Sequence, residues 1–440
     1  VEFLLQPGGQ VRGTVRVPGD KSISHRSIML GAIAEGVTEI TGFLEGEDAL
    51  STLNAFRAMG VNIEGPANGN VRVHGVGLHG LQAPSGPLDM GNSGTSMRLL
   101  SGLIAGQQFS ATLIGDVSLS KRPMERVAKP LRLMGAVVET QEGGRPPLII
   151  KGQGKLKGIH YDLPMASAQV KSCLLLAGLY AEGETSVTEP APTRDHTERM
   201  FGGFGYPVER RGTATVAVQS GGKLRATKID VPADISSATF FMVAAAITPE
   251  SDLALTHVGI NPTRIGVINI LKLMGANLVV SNEREVGGEP VADIRVRYAP
   301  LRGIEIPEDQ VPLAIDEFPA LFVAAACAQG QTVLRGAEEL RVKESDRIQV
   351  MADGLHTLGI DAQPTSDGIV ISGCDAEREA VFGGGTINSH HDHRIAMSFA
   401  IAALRASAPL RIEDCDNVAT SFPNFVELAQ LVGMHIEVQR

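Results

Sequence analysis

Six stretches of the chain are apolar on nearly every side: SHRSIMLGAIA, SMRLLSGLIAG, SAQVKSCLLLAGL, SSATFFMVAAA, EFPALFVAAACA and HRIAMSFAIAAL. A helix that is hydrophobic all round is a buried one, so each is predicted to be a central helix. A β-branched strand follows each of them: TEITG, SATLIG, TSVTEP, LALTHV, TVLRGA and LRIED. Next comes a one-sided helix. Leu50, Leu53, Phe56 and Met59 recur at helical spacing in one copy, and Ile348, Met351, Leu355 and Leu358 in another. These outer helices end in a shared signature: FRAMGVNI, LRLMGAVV, FGGFGYPV, LKLMGANL, LHTLGIDA and AQLVGMHI. The glycines are Gly60, Gly135, Gly205, Gly275, Gly359 and Gly433, separated by 75, 70, 70, 84 and 74 residues. A helix commonly stops on a left-handed residue, which glycine adopts without a Cβ penalty. A strand pair follows each glycine, as in VNIEG with NVRVHG.

The repeat is therefore buried helix, strand, outer helix, strand, strand, written six times. One core rarely spans 440 residues, so two lobes of three units are expected, divided near Val231 in KIDVPADIS. The leading segment LLQPGGQVRGTVRV has no unit of its own and is expected to complete the sheet of the last unit. Lobe I then spans residues 1–19 and 232–440, and lobe II spans 20–231, with hinges near 19–21 and 230–234.

Composition narrows the function. The net charge is −10, there is no tryptophan and there are only four tyrosines, so nucleic acid and membrane surfaces are poor partners. Any anion site must come from a local cluster. Cys173, Cys327, Cys374 and Cys415 are scattered without a CxxC pair, which predicts free thiols in a reducing compartment. No run of 18 apolar residues and no basic-then-apolar leader is present, so a cytoplasmic location is expected.

Chemistry-bearing residues gather at the starts of the buried helices, where unpaired N–H groups and a partial positive charge favour anions. PGDKSISHRS offers Lys21, Ser22 and Arg26, with Ser24 as the expected N-cap. GNSGTSMR can turn N–H and hydroxyl groups toward an oxyanion, though it lacks the ending of a Walker loop. SLSKRPMERV adds Lys121, Arg122 and Arg126. MASAQVKS opens a buried helix with Ser167, Ala168 and Gln169, and PTRDHTERM places Arg194 just before an outer one. In IDEFPALFVAAA, Asp316 and Glu317 start the most apolar helix; one suits a cap, and a desolvated carboxylate has the raised pKa a general base can use. LRVKESDRIQV groups Lys343, Glu344 and Arg347 at helical ion-pair spacing. NSHHDHRIAMS carries His390, His391, His393 and Arg394, but adjacent residues point apart and no HxxxH pair exists, so no metal is expected there.

Taken in order, GDKSISHRS, GNSGTSMRLL, SKRPMERV, SAQVKS, DEFPAL, RVKESDR and DHRIAM resemble the 3-phosphoshikimate 1-carboxyvinyltransferase (EPSP synthase) family over essentially the whole chain. PTRDHTERM and KESDR look like its bacterial subgroup that differs from the enteric type. The resemblance implies an α/β fold, a two-lobed inside-out α/β barrel with three βαβαββ units per lobe, closing on its substrates. It implies attack of the 5-hydroxyl of shikimate 3-phosphate on C2 of phosphoenolpyruvate, protonation of C3, and loss of phosphate from a tetrahedral intermediate. No cofactor is implied, and a monomer inhibited by glyphosate is expected. By the same resemblance, Lys21, Ser22, Arg26, Ser167, Ala168, Gln169, Arg194, Asp316 and Lys343 contact shikimate 3-phosphate. Lys21, Gly94, Arg122, Gln169, Arg347 and Arg394 contact phosphoenolpyruvate. Asp316 would deprotonate the hydroxyl, Glu344 would protonate C3, and Lys21 could shuttle a proton to the leaving phosphate.

Two positions depart from the family pattern. Thr420 stands where some members carry lysine, and Leu99 where many carry proline; Gly94 keeps the residue tied to glyphosate sensitivity. Two other functions fit the repeat. UDP-N-acetylglucosamine 1-carboxyvinyltransferase shares fold and phosphoenolpyruvate but uses a loop cysteine, which SLSKRPMERV lacks. A non-catalytic repeat scaffold would have no reason to place acids and cations at inner helix starts.

Overall fold

All six signature glycines take the left-handed backbone their position requires: φ is 89° at Gly60, 99° at Gly135, 78° at Gly205, 93° at Gly275, 86° at Gly359 and 116° at Gly433. They end six outer helices in a computed structural model that describes residues 1–152, 154–375 and 378–440. In chain order the helices are α1 (Lys21–Ile33), α2 (Glu47–Ala58), α3 (Gly94–Ala105), α4 (Glu125–Leu133), α5 (Ala168–Gly178) and α6 (His196–Gly203). They continue with α7 (Ile235–Ile247), α8 (Gly266–Leu273), α9 (Phe318–Ala326), α10 (Arg347–Thr357), α11 (His393–Ala402), α12 (Val418–Ser421) and α13 (Phe425–Val432).

The inner helices are α1, α3, α5, α7, α9 and α11. Every residue of α7 and of α9 is buried, as sequences so largely apolar require. Small residues let neighbours approach closely: a Cβ on Gly102 of α3 would lie 2.0 Å from the Cys173 carbonyl oxygen of α5. Each repeat also carries a small sheet. In the first, Lys228–Asp230 pairs in parallel with Glu35–Thr41, which pairs antiparallel with Asn70–Val76, which pairs with Asn62–Ala67. Among the described residues five sheets have four strands and one has three. In that one, Arg302 and Glu305 make only isolated parallel bridges, to Gln329 and Val333.

The chain divides into two units. Unit 1 comprises Val1–Pro18, Ala233–Arg284 and Pro290–Arg440; unit 2 comprises Gly19–Pro232 with the hairpin tip Glu285–Glu289. Each has its own core, around α7, α9 and α11 in unit 1 and around α1, α3 and α5 in unit 2.

The leading segment behaves differently from the expectation for it. Glu2–Gly9 does complete the last repeat's sheet, antiparallel to both Leu410–Glu413 and Met434–Gln439. Arg12–Val15 leaves that sheet and pairs in parallel with Asp252–Gly259. Gly8 and Gly9, at φ 81° and 125°, form the end of the first strand, and the chain turns after them through Gln10 and Val11.

The cap of α1 also differs. Asp20 accepts the Ile23 N–H at 2.9 Å, whereas Ser24 is buried inside the helix and accepts the Leu44 N–H. Ser93, Ser167, Asp234 and Asp392 cap α3, α5, α7 and α11. The four cysteines are free thiols, and burial raises those of Cys327 and Cys415 to about 12. No described helix is long and apolar enough to cross a membrane.

Candidate functional site

In unit 2 the starts of α1, α3 and α5 bring cations and bare N–H groups together. Lys21 is the first residue of α1, and its Nζ lies 3.2 Å from an Asp48 carboxylate oxygen. Arg26, one turn further, is almost wholly buried. Its Nε donates to Thr197 Oγ1 at 2.8 Å, Nη2 to Ser172 Oγ at 3.1 Å, and Nη1 to the Ser22 carbonyl at 3.1 Å. Burial lowers the guanidinium to about 10, which leaves it cationic at neutral pH. Two of its five donors thus brace α1 against α6 and α5, and a third returns to the first turn of α1 itself. Arg194, in the loop before α6, adds its positive field to Arg26.

The start of α3 gathers guanidinium groups around a glycine. A Cβ on Gly94 would lie 2.9 Å from Arg98 Nη1 and 3.2 Å from Arg122 Nη1. Burial, then Arg122 and Arg126, lower Arg98 to about 10. Arg122 Nη2 donates to Asn92 Oδ1 at 3.0 Å. Gln169, in the first turn of α5, accepts from Arg98 Nη1 at 2.6 Å and donates to Thr95 Oγ1 at 3.0 Å. Ser167 spends an oxygen lone pair on capping α5, accepting the Val170 N–H at 3.3 Å, and keeps its own proton to donate; Ala168 opens the helix. Guanidinium groups drawn together around a helix start repel one another until an anion arrives.

Unit 1 assembles acids with cations. Asp316 lies in a 3-10 turn, Pro312–Glu317, before α9. Its Oδ1 is 3.7 Å from Lys343 Nζ and 3.5 Å from Arg347 Nη1, while its carbonyl accepts from Arg394 Nη1 at 3.1 Å. Arg347 is 1% exposed; Nε donates to Asp392 Oδ2 at 2.8 Å and Nη2 to Glu344 Oε2 at 2.6 Å. Burial alone would raise the Glu344 carboxyl, but the cationic Arg347 and Arg394 outweigh it and hold the group below the usual range. Burial and Arg394 push His393 down to about 3, so its imidazole is neutral.

Several sequence expectations change here. The carboxyl that desolvation raises is that of Glu317: burial and the Asp316 charge raise it, and Ser236 Oγ donates to it at 2.6 Å. Neither acid caps α9, because the 3-10 turn leads directly into it. Lys343 and Glu344 are not helical; α10 begins only at Arg347 with Asp346 as its cap, so the Glu344–Arg347 pair forms across the helix start. His390 and His391 sit in a turn at φ 53° and 61°, and His391 pairs with Asp414. Among the described residues no group of three or more metal-type side chains converges. Thr420 donates to the Asn417 carbonyl, and Leu99 is fully buried in the unit 2 core.

Sequence reasoning missed other partners. Arg98, Thr95 and Asn92 complete the α3 site; Arg98 one turn after Gly94 was a readable signal. Lys171, 1% exposed within α5, is 3.0 Å from both Glu189 and Glu198. A lysine in so apolar a helix needs buried carboxylates, but the sequence does not say which.

The model of the EPSP synthase (3-phosphoshikimate 1-carboxyvinyltransferase) family matches residues 5–428. The chain belongs to the EPSP synthase family. It is 69% identical over 438 residues to the 3-phosphoshikimate 1-carboxyvinyltransferase of Methylococcus capsulatus, covering 100% of this chain and 99% of that one. It is 65% identical over 440 residues to that of Hydrogenovibrio crunogenus, covering 99% and 98%. Among solved structures, EPSP synthase from Acinetobacter baumannii matches with a TM-score of 0.96 at 65% identity, covering both chains fully. The fold is that of EPSP synthase, and the chain is a transferase of the carboxyvinyl group; neither the UDP-sugar reading nor the scaffold reading gains support.

Proposed function

We propose that unit 2 seats the anionic substrates and unit 1 moves the protons of carboxyvinyl transfer from phosphoenolpyruvate to the 5-hydroxyl of shikimate 3-phosphate. Lys21, Ser22, Arg26, Ser167, Ala168, Gln169 and Arg194 hold the phosphorylated ring acid. Lys21, Gly94, Arg122 and Gln169 hold phosphoenolpyruvate, and in unit 1 Arg347 and Arg394 address its charged oxygens. Forked guanidinium groups match carboxylate and phosphate geometry.

The observation that carries the reading is the acid–cation cluster of unit 1, where Asp316 lies 3.5 Å from the same Arg347 that Glu344 meets at 2.6 Å. Asp316, oriented by Lys343, accepts the proton of the attacking hydroxyl as its oxygen bonds to C2. Glu344 delivers a proton to C3, giving the tetrahedral intermediate. The carboxylate left on Glu344 then takes a proton from C3 as phosphate, protonated through Lys21, departs from C2, which restores the double bond. A phosphonate anion such as glyphosate competes for the Gly94 seat, and the enzyme works as a cytoplasmic monomer.

The test is phosphate release from the two substrates together. Asp316→Asn should fold normally and lose on the order of 10²–10⁴-fold in kcat, the range for a positioned acid or base. Undiminished turnover by Asp316→Asn would sink the assigned role. Release with UDP-N-acetylglucosamine in place of shikimate 3-phosphate would sink the substrate assignment.

A further inference from the structure

Lys21 and Gly94 open two different helices, and a buried polar chain runs between those helices. His25 of α1 is fully buried. Its Nδ1 lies 2.8 Å from Thr52 Oγ1 of α2 and 3.4 Å from Ser96 Oγ of α3. Thr52 Oγ1 is 2.7 Å from Ser96 Oγ. Ser96 Oγ donates at 2.8 Å to Ser93 Oγ, the α3 cap, which also accepts the Ser96 N–H.

The direction of the chain follows from counting protons. A hydroxyl has one to give. Ser96 gives its proton to Ser93, so the contact between Thr52 and Ser96 requires Thr52 to donate. Thr52 then has none left for His25, so Nδ1 must carry the hydrogen. Burial, followed by the charge of Lys21, pushes the imidazole down to about 3, so it stays neutral at working pH; Asp48 and Asp20 oppose this and Arg26 adds to it. Nε2 is left as a buried acceptor without a hydrogen-bond partner.

We infer that His25 is a positioning residue: as a neutral Nδ1–H tautomer it starts a one-way hydrogen-bond chain, His25 to Thr52 to Ser96 to Ser93. The chain fixes the start of α3, and with it Gly94, relative to the Lys21 end of α1. An unmade bond in such a buried chain leaves a desolvated polar group, so each link depends on the one before it. The inference rests on the reading of Gly94 and Lys21 as the phosphoenolpyruvate seat.

The two conservative amides separate the two ring nitrogens. In His25→Asn the amide nitrogen would stand near the place of Nδ1; in His25→Gln it would stand nearer that of Nε2. His25→Asn should keep the KM for phosphoenolpyruvate within about threefold. His25→Gln and Thr52→Val should each raise it about tenfold, the effect of one buried hydrogen bond, with the KM for shikimate 3-phosphate moved less. The double variant His25→Gln/Thr52→Val should be no worse than either single one, because the links share one chain. Glutamine performing as well as asparagine, or additive losses, would overturn the inference. Nitrogen NMR of the His25 imidazole gives a readout independent of activity: the neutral Nδ1–H signature should persist from about pH 5 to 9. Titration in that window, or the Nε2–H signature, overturns it too. If the wild type releases no phosphate with its two substrates, the functional reading fails while the NMR result stands on its own.

Discussion

A methyl group at Gly94 would lie 2.9 Å from one guanidinium nitrogen and 3.2 Å from another, both at the ends of flexible side chains. Gly94→Ala is therefore expected to leave the fold and thermal midpoint unchanged while displacing the charges that face the anion. Its KM for phosphoenolpyruvate should rise about tenfold or more, for a loss near 1.4 kcal/mol, with kcat less affected. Steady-state kinetics with each substrate varied in turn reads this directly.

Glu344 presents a different single-residue question, since Arg347 and Arg394 keep it ionised in the free protein. An anion seated on Arg347 and Arg394 cancels part of that positive field. Removing positive field favours the neutral form, so the Glu344 pKa rises in the complex. A proton donor fails above its pKa, so the high-pH limb of kcat should lie at higher pH than that of kcat/KM. Coincident limbs would remove Glu344 from the donor role.

At the scale of elements, the signature glycines isolate one physical term. Gly359 has φ of 86°, and a Cβ there would meet nothing within 4 Å. Gly359→Ala should thus cost only the backbone strain, about 1–2 kcal/mol, read as a lower denaturant midpoint. Gly359→Asn should cost less, because asparagine tolerates the left-handed region. Elements of this kind were legible because period, capping glycine and apolar runs are local properties. The cap of α1 was not. Asp20 and Ser24 both suit an N-cap, and burial of Ser24 decides between them. Likewise Lys343, Glu344 and Arg347 have helical spacing, yet the helix starts only at Arg347.

At the scale of the whole molecule, the two chain termini meet within unit 1. Glu2–Gly9 is hydrogen-bonded on both sides by strands from the last forty residues of the chain, as the pairs Phe3 with Ile412 and Phe3 with Val438 show. Leu5, 1% exposed in that strand, should therefore matter far beyond its position. Leu5→Ala is expected to destabilise the protein by about 2–5 kcal/mol, whereas Leu133→Ala, at a residue 60% exposed, should change little. Thermal unfolding of the two variants side by side tests this. The net charge of −10 was equally visible from the start, but not that Arg98 and Arg122 would crowd around Gly94.

By itself the sequence determined the six repeats, the buried and outer helices, the left-handed glycines and the residue types gathered at helix starts. These follow from spacing along one chain, through rules that act over a few residues. The tertiary structure alone decided which charges meet. It set Glu317 against Ser236, Arg347 against Asp392 and Asp316, Lys171 between two glutamates, and His25 at the head of a hydroxyl chain. Ionisation and hydrogen-bond direction depend on desolvation and on neighbours brought from distant parts of the chain, and those neighbours exist only once the helices have packed.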